Sequence, residues 1–151
     1  MLPFGDDENH PVCVRLKRQL RFYVERLIAQ GCTHFITGMS QGIDTFFAEL
    51  VIEYKGQHPE LTLECALPSE RQTDNWLERD RNRYYRIIEN CNQETYLSNY
   101  SDQESFVKRN EYMIERADVL LVVGPETSRS LMSLIDQARE KAIPVYTINL
   151  L

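Results

Sequence analysis

The sequence predicts an α/β protein, a three-layer α/β/α arrangement around a mostly parallel sheet of about five strands. Short continuous apolar runs, THFIT at Thr33–Thr37, LTLECAL at Leu61–Leu67 and VLLVV at Val119–Val123, are what strands covered on both faces require. Segments with helical apolar spacing fill the intervals between them. Strands alternating with helices imply right-handed crossovers and parallel pairing.

In chain order, a Pro/Gly/acid-rich stretch (Leu2–Pro11) precedes a helix striped by Leu16, Leu20, Val24, Leu27 and Ile28, which Gly31 stops. After Thr33–Thr37, Phe46, Phe47, Leu50, Val51 and Tyr54 mark a second helix that ends near Gly56. A third helix is expected from about Asp74 to Ile88, around Trp76, Tyr84, Ile87 and Ile88. Glu94–Ser98 follows as a shorter, more polar strand. Ser101-Asp102-Gln103-Glu104 has capping-box spacing and opens a fourth helix, with Phe106, Met113, Ile114 and Ala117 inward. Beyond Val119–Val123 lies a fifth helix, striped by Leu131, Leu134, Ile135, Ala138 and Ala142, and Pro144 then introduces the strand Val145–Leu150.

At 151 residues the chain suits one domain with its own core, and 42% hydrophobic with 26% charged residues is ordinary globular composition. A net charge of −6 argues against broad nucleic-acid binding, although Arg15, Lys17, Arg18, Arg21 and Arg26 share one helix and Arg79, Arg81, Arg83 and Arg86 another. Cys13, Cys32, Cys65 and Cys91 are widely spaced and form no C-x-x-C pair, so they read as thiols of a reducing compartment. His10, His34 and His58 stand at no metal-ligand spacing, and no metal site is expected. No apolar run approaches the roughly 20 residues of a membrane helix and no signal-peptide plan is visible, so a cytoplasmic location is expected.

In open α/β sheets ligands bind beyond the carboxyl ends of the strands. Two loops fall there. In the first, Gly38-Met39-Ser40-Gln41-Gly42 leads into Asp44 and the second helix; the glycines let the backbone approach a ligand, and helix-start amides favour phosphate. The competing reading is a plain strand-to-helix turn in which Asp44 favours the helix start. The second loop is Gly124-Pro125-Glu126-Thr127-Ser128-Arg129-Ser130, where Ser128 and Ser130 suit a hydroxyl-rich phosphate loop, while Thr127 or Ser128 equally suits a helix cap. Arg109 offers a planar fork for phosphate or carboxylate, and Asn110 an amide for a sugar or base. No G-x-S-x-G elbow and no Walker lysine is present.

These motifs carry a resemblance. ITGMSQGID (Ile36–Asp44) resembles the SGLARGID-type loop of the DNA-processing protein DprA/SMF. RNEYMIERADVLLVV (Arg109–Val123) resembles the segment before the second phosphate loop in the LOG family of cytokinin-activating hydrolases. With LPFGDDE, Gln72 followed by Trp76, and DRNRYYRII, the chain resembles the bacterial YpsA-like family of the SLOG superfamily over its whole length. That implies a Rossmann-like domain for a nucleotide or nucleotide-derived ligand, with Gly38, Ser40, Gly42 and Asp44 as the first loop and Arg109 and Asn110 facing the site; Met39, Gln41, Gly124, Ser128 and Ser130, read from the two loops themselves, complete the expected ligand-binding set. Trp76 is a candidate for stacking on a base, against the packing role more usual for a helical tryptophan. A homodimer is expected from the superfamily.

Two departures qualify the resemblance. The family normally begins with a strand ending in a T-G-H-R-P-like turn just before LPFG, so this domain is expected to lack its usual first strand. Re-pairing of the sheet, a second chain, or an upstream start would each answer that loss. The hydrolases also carry P-G-G-x-G-T-x-x-E, where this chain reads GPETSRSLMSL and offers no carboxylate in register. No catalytic residue is assigned. Binding or sensing of a nucleotide-type ligand is the expected function. The alternatives are an N-glycosidic hydrolase of nucleoside monophosphates using Asp44 or Glu126, and a DprA-like DNA-associated or protein-interaction module using the basic first helix.

Overall fold

A computed structural model describes residues 2–125 and 127–150. Among the described residues, five helices and five strands alternate: α1 (Pro11–Ala29), β1 (His34–Thr37), α2 (Ile43–Lys55), β2 (Thr62–Leu67), α3 (Glu78–Asn90), β3 (Gln93–Tyr96), α4 (Gln103–Arg116), β4 (Leu120–Val123), α5 (Arg129–Glu140) and β5 (Val145–Ile148). Every strand pairing among the described residues is parallel. The expectation of one sheet of about five strands is met as three plus two among the described residues: β1-β2-β3 form one sheet and β4-β5 another. The chain divides into two compact units, Val24–Met113 and Met1–Tyr23 with Ile114–Leu151, so the boundary falls inside α1 and α4.

In the unit spanning 24–113, β2 is central, with Ile36↔Glu64 and Glu64↔Gln93 setting its register. Alternation along each strand then puts His34, Ile36, Thr62, Glu64, Ala66, Gln93 and Thr95 on one face and Phe35, Leu63, Cys65 and Leu67 on the other. The second face packs on α2, where the Phe35 and Phe47 rings lie 6.0 Å apart. Ala48, Val51, Leu61, Leu63, Cys65, Ala66 and Leu67 are buried. α1 ends where Gly31 adopts φ 95° and the Cys32 N–H reaches the Leu27 carbonyl at 3.0 Å, the geometry that terminates a helix on a glycine.

Two helix starts differ from expectation. α3 begins at Glu78 rather than near Asp74, because Arg71–Trp76 forms successive turns (Asp74 N–H to Arg71 O, 3.1 Å; Trp76 N–H to Thr73 O, 3.0 Å). α4 is capped one residue later than the Ser101/Glu104 spacing suggests. Asp102 Oδ1 accepts from Ser105 N–H at 2.8 Å, and Ser105 Oγ accepts from Asp102 N–H at 2.9 Å. A serine thus closes the reciprocal cap as well as a glutamate would.

In the other unit, β4 and β5 pair in register, Leu120↔Val145 to Val123↔Ile148, and α5 packs on both. The Tyr23 ring contacts Tyr146 of β5 at 5.4 Å. Phe4, Cys13, Leu16, Leu20, Val122, Ala138 and Ile148 are buried. Among the described residues no helix is long and apolar enough to cross a membrane.

Candidate functional site

β1 ends in Thr37, and the next residues turn sharply into α2. Met39 is fully buried with φ 56°, a conformation costly for a side-chain-bearing residue, so the surroundings must impose it. Gln72, from the loop after β2, donates its amide to Met39 O at 3.1 Å and to Gly38 O at 3.5 Å. Inside the loop, Met39 N–H bonds Thr37 Oγ1 (3.4 Å), Ser40 N–H bonds Asp44 Oδ2 (3.0 Å), and Thr45 Oγ1 donates to Ser40 O (3.4 Å). Gly42 stands at the N-cap of α2 with φ 87° and ψ −109°, backbone that glycine alone adopts freely, and no side chain caps the helix. The first turn closes with Phe46 N–H on Gly42 O at 3.0 Å, so the amides of Ile43, Asp44 and Thr45 precede it. This end of α2 carries the positive pole of the helix.

Arg109 of α4, only 8% exposed, lies over this loop. Its Nη1 donates to Gly38 O (3.0 Å) and Ser40 Oγ (3.4 Å), while Nε and Nη2 donate to Asn110 Oδ1 at 3.3 and 3.2 Å. A Cβ on Gly38 would meet Arg109 Nε at 3.0 Å, so Gly38 is the residue that lets the guanidinium lie on the strand end. The Phe106 ring supports Arg109 from one turn earlier, 5.0 Å from its Cζ. Every hydrogen-bond acceptor of Arg109 is neutral, and among the described residues no carboxylate pairs with it. Burial lowers the Arg109 pKa, with the Asp44 charge opposing. Burial likewise raises the Asp44 carboxyl, against the Ser40 N–H and the Arg109 charge. The guanidinium of Arg109 and the carboxyl of Asp44 thus meet at the carboxyl end of β1, beside the uncapped start of α2.

A family model, YpsA ("YspA SLOG family"), matches residues 4–151. The chain belongs to the YpsA family of SLOG proteins. A UPF0398 protein of Bacillus thuringiensis (strain Al Hakam) is 27% identical over 135 residues, covering 88% of this chain and 73% of that protein. A UPF0398 protein of Bacillus cereus (strain Q1) shows the same identity and coverage.

In this YpsA-family chain the structure gathers Gly38, Met39, Ser40, Asp44, Arg109 and Asn110 at one strand end, with Gln41 and Gly42 completing the turn. The second predicted loop belongs to the other unit and is built differently. Gly124 has φ 146°, and a Cβ there would meet Leu131 Cδ1 at 2.6 Å, so this glycine answers to packing. Ser128 is the N-cap of α5 and accepts the Leu131 N–H, which is the cap reading of that serine. Ser130 is exposed in the first turn, and Glu126 lies outside the described residues. Trp76 is half-buried and packs edge-on against Tyr84, with ring centroids 5.5 Å apart.

One cluster in the YpsA-family chain escapes the motif reading altogether. Glu64, in the middle of the apolar run LTLECAL, is only 3% exposed. Its Oε1 accepts from His34 Nε2 at 2.8 Å; its Oε2 accepts from Tyr112 OH (2.5 Å), Thr95 Oγ1 (2.8 Å) and Gln93 Nε2 (3.4 Å). Burial alone would raise this carboxyl, but the donors from Tyr112, His34 and Thr95 outweigh it and hold its pKa below the ordinary range. The available signal was the charge itself, since a glutamate inside a covered strand requires partners.

Proposed function

We propose that the Gly38–Asp44 loop and Arg109 form an anion site that holds the phosphate of a nucleotide or nucleotide-derived ligand. The observation that carries this reading is the Arg109 guanidinium. It is buried with only neutral hydrogen-bond acceptors and no ion pair, the Asp44 carboxyl acting on it only through space, beside the uncapped start of α2. A buried cation without an ion partner is costly, and a bound anion would relieve that cost. Oriented backbone amides at a helix start are the complementary half of a phosphate site. Membership of the SLOG family supports the nucleotide as the bearer of that phosphate.

A thermal-shift and calorimetry series with pyrophosphate, nucleoside mono- and diphosphates and ADP-ribose tests the reading. A true ligand at about 100 times its Kd adds about 2.7 kcal/mol, a few degrees in Tm at this length. Arg109→Ala removes the shift. No shift with any phosphate ester sinks the proposal. Gly42 is a poor probe, because any side chain at φ 87° strains the fold as well as the site.

A second reading has one observation behind it. The Asp44 carboxyl, raised by burial and next to Arg109, has the character of a general acid, so an N-glycosidic hydrolase would use it. Release of free base from nucleoside monophosphates, lost in Asp44→Asn, would establish it.

A further inference from the structure

We infer that the Tyr112–Glu64 hydrogen bond is the device that positions Arg109, so that Tyr112 and Glu64 tune anion binding without touching the anion. This rests on the anion-site reading above.

Tyr112 lies three residues after Arg109 on α4, one turn along the same helix face. Its hydroxyl donates to Glu64 Oε2 at 2.5 Å, and Glu64 sits on the central strand of the three-stranded sheet. That carboxylate is itself held from both sides. His34 of β1 donates to Oε1, and Thr95 and Gln93 of β3 donate to Oε2. His34 is fixed in turn through Nδ1 on Thr62 Oγ1, at 2.6 Å. The tyrosine is therefore tied to a point that all three strands define.

Apolar packing alone would hold α4 on the sheet, but it tolerates sliding and rotation. A carboxylate with saturated acceptors does not, because a shift of α4 would strand a buried charge. Arg109 requires such registration. Its Nη1 reaches Gly38 O at 3.0 Å across a residue that has no Cβ, and Phe106 props the guanidinium from the preceding turn. Phe106, Arg109 and Tyr112 follow one another at spacing three, so one helical edge carries the prop, the cation and the anchor. A displacement of about 1 Å at the anchor passes to the guanidinium and costs affinity there.

The test is a double-mutant cycle on the full chain, with pyrophosphate as the probe and calorimetry as the readout. Tyr112→Phe deletes only the hydroxyl. It is expected to weaken pyrophosphate binding about fivefold to tenfold in the native background. In an Arg109→Ala background the same change is expected to alter the residual Kd less than about twofold. Arg109→Lys, which keeps the charge but loses the fork, takes that place if Arg109→Ala does not fold. A merely structural tyrosine would lower Tm yet leave the Kd unchanged, or weaken binding equally in both backgrounds; either result overturns the inference. Wild-type binding that depends on Arg109 but ignores Tyr112→Phe ends this inference and leaves the anion site standing. Absence of wild-type binding ends both.

Discussion

The two strand-to-helix loops, after β1 and after β4, solve the same geometric problem in opposite ways. The loop after β4 is self-sufficient: Ser128 caps α5 through Leu131 N–H, and Gly124 exists to let Leu131 pack. The loop after β1 leaves α2 uncapped, and side chains from elsewhere, Gln72 after β2 and Arg109 of α4, hold the backbone carbonyls of Gly38 and Met39. A helix start that the protein satisfies by itself has nothing left to offer a ligand. One that is held rigid and left unsatisfied does.

The contrast can be broken most forcefully at the glycines. Gly124→Ala forces a side chain into φ 146° and onto Leu131, so the expected loss of stability is about 3 kcal/mol, read by chemical denaturation. Gly38→Ala meets only the Arg109 side chain, so it should cost far less stability while weakening pyrophosphate binding about tenfold. Equal losses at both glycines would erase the distinction. Next in size, Arg109→Ala should weaken pyrophosphate binding about a hundredfold, whereas Arg129→Ala at the exposed start of α5 should change it less than about twofold. Ser128→Ala removes a cap that the first loop never had; about 1 kcal/mol of stability should go, with pyrophosphate affinity untouched.

The smallest effects are those of pH, and they have opposite signs at two carboxyls. Glu64 is held below its ordinary 4.5, so it contributes stability that is full above that value and lost as pH falls toward its folded-state pKa. Glu64→Gln should therefore flatten the acid limb of a stability profile. Asp44 is raised from 3.8, so its ionisation in the fold costs stability as pH climbs above that value. Asp44→Asn should raise Tm at neutral pH and tighten pyrophosphate binding by removing a like charge. A lowered Tm would show that the carboxylate is needed on Ser40 N–H instead.

Much of this was legible in the residues. Runs such as THFIT and VLLVV fall within a residue of β1 and β4, because β-branched and aliphatic runs favour strand even where, as in β4, only one residue is buried. The alternation that predicts parallel pairing is present, but one continuous sheet was expected and two are observed, since pairing between particular strands has no local signature. The start of α3 was misplaced because Asp74–Leu77 shares the composition of a first helical turn while its hydrogen bonds make turns. At the site, the glycines and Ser40 announced themselves by type. The Arg109 contact with Gly38 spans 71 positions, and the partners of Glu64 come from β1, β3 and α4, distances over which spacing says nothing.

The left-handed Met39, locked by Gln72 above a buried side chain, has a kinetic corollary. A loop already held in one backbone conformation has little ordering left to undergo on capture. Encounter should then follow a single exponential whose rate rises linearly with ligand concentration, without the plateau that a slow isomerisation would impose.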